Sequence, residues 1–474
     1  MLFNSLTFIA FLAIVLAIYS LPISWRVKKI HLLVSSYIFY AAWNPPLVIL
    51  IWISTVVDWH VAKVIAKART EHTRRLFLAV SLSTNLGLLA FFKYGEFFLD
   101  NFVALAMTFG IHYQPPDMGI ILPIGISFYT FQTLSYTIDV YRRRLHPSHS
   151  FLDFALFVTF FPQLVAGPIV RASQFLPQLR RPRRASVDEF GWGLCLLTMG
   201  LFQKIVLADT FLAPVADAAY SNTSQAGFLD AWVGTLAFSA QIFFDFAGYS
   251  TCAIGVAMLM GFALPDNFRF PYAAIGFSDF WRRWHISLSG WLRDYLYISL
   301  GGNRVNTKRV YVNLMATMLL GGLWHGAAWT FVAWGGLHGL YLATERRIKA
   351  RVGNVLGDHN FLTKLFLILG TYVCVCTTWV FFRARTFPEA FAMFRAMIGA
   401  RPDGNIGIGG MASGVFVIAI TFFMLAGQWY LRDRSVESLW NGTRPIWRAV
   451  ALTLMLVSIL LTPGEDRAFI YFQF

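Results

Sequence analysis

The sequence is poor in charge. Only 13% of its 474 residues are Asp, Glu, Lys or Arg, about half the share of an ordinary soluble domain. Acidic residues number 24 against 39 basic ones. Cysteine is nearly absent: Cys195, Cys252, Cys374 and Cys376 all lie in apolar segments. That placement suits small core residues better than a disulfide framework or a metal site. Neither H-E-x-x-H, G-x-x-x-x-G-K-[ST] nor G-x-S-x-G occurs, which weighs against a zinc hydrolase, a P-loop ATPase and a serine hydrolase. No solenoid-length repeat and no low-complexity segment is visible.

What the chain has in quantity is apolar surface, with 57% hydrophobic and 17% aromatic residues. A soluble protein could not bury so much. The apolar runs are continuous rather than alternating, so the chain reads as an all-α polytopic integral membrane protein and not as a β-barrel. We expect one integral domain over residues 1–474, with a catalytic core at about 120–345 and ten to twelve transmembrane or partial helices around a central channel, some re-entrant or interfacial. The net charge of +15 comes from short basic clusters between apolar runs. That is the signature of inside loops, not of a nucleic-acid partner. The first run, residues 6–21, is followed by Arg26, Lys28 and Lys29 and preceded by no basic residue. We therefore read it as a retained helix with its N-terminus outside. Residues 151–169, interrupted by Phe161-Pro162 and Gly167-Pro168, read as a re-entrant segment.

Polar groups intrude into the apolar pattern in three places. Residues 277–300, taken as one helix, set Trp281, Leu288, Ser289 and Leu292 on the face of His285 and Arg283, Ser287 and Asp294 opposite. This could be a plain interfacial helix, or a platform whose arginines meet an anionic ligand. His325 is the sharper case. It lies about 22 Å of helix beyond Arg304, Lys308 and Arg309, near mid-membrane, where a histidine must face a cavity or a partner helix. His338, thirteen residues on, would point about 140° away on a continuous helix and so form no metal pair with it. The third intrusion is Gln241-Ile242-Phe243-Phe244-Asp245, whose carboxylate needs a partner that Arg282, Arg283 or a histidine could supply.

The strings Phe280-Trp281-Arg282-Arg283-Trp284-His285-Ile286-Ser287-Leu288-Ser289, Trp291-Leu292-Arg293-Asp294-Tyr295-Leu296-Tyr297, Gly301-Gly302-Asn303-Arg304 and Leu323-Trp324-His325-Gly326-Ala327 resemble the membrane-bound O-acyltransferase family, in its bacterial alginate O-acetylation branch. Leu122-Pro123-Ile124-Gly125, Pro162-Gln163-Leu164-Val165-Ala166-Gly167-Pro168 and the terminal Phe469-Ile470-Tyr471-Phe472-Gln473-Phe474 extend the likeness over nearly the whole chain. The resemblance implies transfer of an acetyl group from a cytoplasmic thioester, acetyl-CoA, across a bacterial inner membrane for O-acetylation of an exported polysaccharide of alginate, cellulose or peptidoglycan type. By that resemblance His325 is the essential histidine and His285 the second catalytic one. Trp281, Arg282, Arg283, Trp284, Ser289, Arg293, Arg304, Trp324, Asp245 and Gln241 are candidates for donor or substrate binding. Neither a metal nor a permanently bound cofactor is implied. The expected partners are an extracytoplasmic acetyltransferase or polysaccharide-binding protein, membrane lipids and no nucleic acid. The rival readings are a polysaccharide-related transporter or flippase, and a non-catalytic scaffold subunit of a synthase.

Overall fold

Nearly every apolar run is a helix, because a backbone in hydrocarbon must satisfy its own N–H and C=O groups. The computed structural model describes residues 1–116, 118–353, 360–401, 404–408, 411–462, 467, 469 and 470. Among the described residues, six helical stretches are long and apolar enough to cross a membrane, and the protein is a multi-pass membrane protein. The remaining expected spans or partial spans correspond to shorter or broken helices, such as Leu6–Ser20 and Pro445–Leu461. Lipid-facing surface is conspicuous: Leu6, Phe366, Phe423 and Leu460 all expose most of their side chains.

The chain divides into two compact units. The first, Met1–Leu194 with Ala253–Pro265, begins with α1 (Leu6–Ser20), α2 (Trp25–Ala41), α3 (Val48–Lys67) and α4 (Glu71–Thr108). Ser5, Ser24 and Thr70 cap three of these through side-chain acceptors, satisfying N–H groups the helix cannot. Residues 98–108, which could have crossed separately or lain at an interface, instead end the unbroken 38-residue α4. Then come α5 (Ile126–Tyr141), α6 (Phe151–Thr159), α7 (Phe161–Leu164) and α8 (Ala172–Phe175). The α6–α7 segment is broken at Phe160, before Pro162, and both pieces are largely buried. Along the chain, α9 (Val187–Leu201) leads from the first unit into the second.

The second unit, Cys195–Cys252 with Asp266–Phe474, carries the sharper polar intrusions. After a π-helical stretch, Phe202–Leu212, come α10 (Ala213–Ser221) and α11 (Phe228–Leu259), the latter buried along most of its length, with residues 253–259 counted in the first unit. Next are α12 (Phe277–Arg283), α13 (Ile286–Trp291), a π turn at Leu292–Tyr297, α14 (Thr307–His325) and α15 (Trp329–Val352). The unit continues through α16 (Phe361–Arg383), α17 (Phe387–Met397), α18 (Met411–Leu431), α19 (Val436–Gly442) and α20 (Pro445–Leu461). The α14–α15 hairpin is tightly closed. A Cβ on Gly322 would sit 2.3 Å from the Phe331 carbonyl, and one on Gly335 2.2 Å from that of Met318. Only glycine permits that approach.

Candidate active site

The expected single helix over residues 277–300 does not exist. It breaks at Trp284–His285, where His285 takes the left-handed conformation, φ 43° and ψ 55°. A non-glycine residue there carries about 1–2 kcal/mol of strain, so the break needs support. Residues 267–269 give it: the Ile286 N–H donates to the Asn267 carbonyl and the Arg269 N–H to that of Arg283, both at 2.9 Å. The facial pattern projected for an unbroken helix therefore fails beyond residue 284.

Helix α12 is held at both ends. Glu345 of α15 accepts from the Phe277 and Ser278 N–H groups at 2.6 and 3.0 Å, a carboxylate at the positive end of a helix. Burial disfavours its ionisation. The Lys349 ammonium and the Ser278 N–H outweigh that and hold it below the usual range. Asp279 behaves likewise. Burial opposes its charge, yet the Ile275 N–H and the Arg432 and Arg283 guanidiniums keep the carboxyl below its ordinary range.

His285 is fully buried, and its Nδ1 lies 3.0 Å from Asn267 Oδ1. That oxygen also accepts from the Ser287 hydroxyl at 2.8 Å and from its N–H at 3.3 Å, while the Asn267 amide nitrogen donates to Ser250. Oδ1 is thus an acceptor and His285 Nδ1 the donor, which places the neutral ring's lone pair on Nε2. His325, 2% exposed, ends α14. Its ring lies 6.3 Å from that of His285 and is walled by Trp334 at 4.9 Å, Trp324 at 5.0 Å and Phe382 at 5.5 Å. Two imidazoles thus neighbour each other, with ring planes 61° apart, inside an aromatic enclosure.

A cavity of about 200 Å³, which neither histidine lines, is bounded by Trp281, Ser289, Leu292 and Arg293 together with Leu314, Thr317 and Met318 of α14. Trp281 packs edge-on against Trp334, which packs edge-on against His325. Of the sequence candidates, Trp281, Ser289 and Arg293 line this cavity, and His285, His325 and Trp324 share the enclosure. The others lie elsewhere. Trp284 is buried, stacked between Phe280 and Tyr272. Arg283 is engaged by Asp279 and by the Arg432 carbonyl. Arg282 is exposed, with Nε on the Ser278 carbonyl, and Arg304 is exposed on the turn before α14.

Gln241 and Asp245 are buried one turn apart on α11. The partner of Asp245 is none of the groups expected from sequence. Lys204 reaches it at 2.7 Å and Asp209 at 2.9 Å. On an α-helix residues 204 and 209 would point about 140° apart. The π-helical stretch, with its i→i+5 repeat, brings them together. The other Asp245 oxygen accepts from the Ile470 N–H. Phe469 rests on Phe246 and Tyr249, and Phe246 lies edge-on to His285 at 4.7 Å. Residues 471–474 of the terminal motif lie outside the described residues.

Sequence reasoning missed Asn267, Trp334, Phe382 and Lys204. Asn267 sits in a short Pro-Asp-Asn-Phe connection and the aromatics in ordinary apolar helix, so only three-dimensional contact reveals them. Among the described residues, no group of three His, Cys, Asp or Glu side chains is placed to hold a metal.

A buried pair of neighbouring histidines enclosed by aromatics has the chemical make-up for proton transfer shielded from water. The membrane-bound O-acyltransferase family model matches residues 140–383. The chain is 42% identical to a probable alginate O-acetylase of Pseudomonas aeruginosa, covering 84% of this chain and 75% of that protein. It is 38% identical to a peptidoglycan O-acetyltransferase of Helicobacter pylori over 78% of this chain and 74% of the other. With a teichoic acid D-alanyltransferase of Streptococcus thermophilus it shares 31% identity over 52% of this chain and 63% of the relative. The chain belongs to the membrane-bound O-acyltransferase family and is an O-acyltransferase, so the transporter and scaffold readings fall away.

Proposed function

We propose that the protein moves acetyl groups from a thioester donor, acetyl-CoA, across the bacterial inner membrane for O-acetylation of an exported polysaccharide. The observation that carries this reading is the His285–His325 pair, 6.3 Å apart in an aromatic enclosure whose Trp334 packs against Trp281 of a cavity that Arg293 also lines. The apolar wall suits the donor's pantetheine arm. The exposed Arg282, Arg293 and Arg304 suit its phosphates, which guanidinium groups bind well.

One neutral imidazole takes the acceptor hydroxyl's proton as the oxygen attacks the thioester carbonyl. The C–S bond then breaks, and the thiolate leaves and is protonated. We assign the base role to His325. His285, whose lone pair is fixed on Nε2 by Asn267, contacts the same reacting group. Reacting atoms must come within about 3–3.5 Å, so in this reading the donor thioester and the acceptor hydroxyl meet at the two imidazoles. Aromatic walls exclude water and so suppress hydrolysis of the thioester.

In this reading the N-terminus lies outside, the acceptor enters from outside through a channel that meets His325, and an extracytoplasmic partner passes the acetyl group to the polymer. Alginate and peptidoglycan are the polymers named for the relatives, and either class fits this site. The test is acetyl transfer from radiolabelled acetyl-CoA in proteoliposomes holding the full chain. Label appearing on acceptor with wild type and absent with His325→Ala supports the proposal. Equal transfer by the variant overturns it.

A further inference from the structure

A second polar centre lies in the first unit, where the proposed chemistry gives it no task. Three helices each present a pair of polar side chains one turn apart: Ser54 and Asp58 on α3, Ser81 and Asn85 on α4, Thr133 and Thr137 on α5. All six are fully buried. Asp58 sits about 15 Å of helix from either end of α3, midway along a membrane-crossing segment. Its Oδ1 accepts from the Ser81 hydroxyl at 2.5 Å and its Oδ2 from the Asn85 amide at 2.9 Å. Asn85 Oδ1 in turn accepts from Ser54 and Thr133. Thr137 Oγ1 lies beside Asp58 yet falls short of hydrogen-bond geometry with it or any other described group.

Among the described residues Asp58 makes no ion pair, although a carboxylate in the middle of a membrane requires a counter-charge. Apart from the Asn85 amide nitrogen, the polar atoms of these six side chains are all oxygen, with no sulfur or imidazole among them, which selects a hard cation. One negative charge balances a single positive one. A divalent ion would leave net charge in an apolar interior. The convergent oxygens are also more than a lone proton can use. We propose that Asp58, Asn85, Ser54, Ser81, Thr133 and Thr137 form a binding site for a dehydrated monovalent cation of sodium size. On binding, the hydroxyl lone pairs turn to the ion and their hydrogens to helix carbonyls; for Thr133 the Thr130 carbonyl, 3.1 Å away, is the acceptor that would replace Asn85 Oδ1. Thr137 gains the partner it otherwise lacks. Such a site ties α3, α4 and α5 together by an ion.

The test is thermal unfolding of the full chain in detergent, with sodium chloride titrated against choline chloride at constant ionic strength and at a pH well above the carboxylate range. A ligand that binds only the folded state raises Tm with its concentration. We expect a saturable rise with sodium, a weaker one with potassium and none in Asp58→Asn. Thr137→Val, which keeps the volume and removes one oxygen, should shift the sodium midpoint upward by about ten-fold, the lower end of the effect of losing a supporting group at a metal site. Equal Tm in sodium and choline overturns the proposal, as does an undiminished sodium response in Asp58→Asn. If Asp58→Asn does not accumulate, an unchanged midpoint in Thr137→Val overturns it equally.

Discussion

His285 and His338 are alike in burial and unlike in everything that bears on chemistry. Both are fully buried, and each has one ring nitrogen 3.0 Å from a neutral side-chain oxygen. His338 lies within α15, its ring parallel to Phe280 within 6°. Thr378 donates its hydroxyl hydrogen to the Val375 carbonyl, so it accepts from His338 Nε2–H. The far nitrogen is thereby used up in packing. His285 sits on a strained break between two helices, and Asn267 engages its near nitrogen, Nδ1. That leaves the lone pair on the far nitrogen, at the end of the ring best able to reach a substrate. Burial alone therefore does not separate the histidine to which the proposed chemistry gives a role from a core one. The tautomer and the backbone that sets it do.

The largest effect should come from His325, whose ring neighbours that of His285. His325→Ala is expected to reduce acetyl transfer by about 10²–10⁴-fold, the usual worth of a general base, with normal accumulation of the protein. Acetyl content of the exported polymer, read by NMR, checks this. Wild-type acetylation would remove His325 from the chemistry.

The comparison sharpens at Asn267. Asn267→Leu removes the acceptor that selects the His285 tautomer, and we expect kcat to fall by about 10–100-fold with little change in KM. Asn267→Asp keeps an acceptor at the same place and should recover much of the loss. A merely structural Asn267 would instead show both variants impaired in proportion to their loss of Tm.

A third effect acts on the break itself. Asp279 pins α12 through Arg283 and Arg432, so Asp279→Asn should destabilise the protein at neutral pH by about 2 kcal/mol. Its carboxyl titrates below its unfolded value. The stability it adds is therefore complete above the unfolded pKa of about 3.9 and is lost as pH falls through the lower folded value. Unfolding measured across pH should show wild type and Asp279→Asn converging in acid and separating above about pH 4. A gap independent of pH would show that the charge is not what pins α12.

Much of this was legible in the sequence where long periodic segments carried it. Apolar runs foretold the helices, and a histidine inside an apolar, glycine-flanked segment singled out His325 before any contact was known. The break at His285 was not legible, because Phe280 to Leu292 has a respectable helical pattern and the interruption is imposed by residues 267–269, which hydrogen-bond to it from another part of the chain. Nor was the partner of Asp245. Counting residues by α-helical spacing hides Lys204 and Asp209 from each other, and only the π stretch aligns them. The polar pairs on α3, α4 and α5 are each commonplace in a helix. Their meaning arises where the three faces meet.

The smallest effect tests the core histidine. Thr378→Val removes the acceptor of His338 Nε2–H and leaves a buried donor unsatisfied, which costs about 1–3 kcal/mol. Moving the proton to Nδ1 brings no relief, because that nitrogen has no partner among the described residues either; we expect about 1 kcal/mol, the low end of that range, and a small drop in Tm. Turnover per folded molecule should not change, since His338 packs on Phe280, Trp281 and Trp334 and is held there by ring contacts on several sides. A Thr378→Val protein of nearly normal Tm but sharply reduced acetyl transfer would mean that His338 acts on the chemistry through Trp334, the ring it shares with His325. The contrast between the two histidines would then be one of distance from the reacting group and not of function.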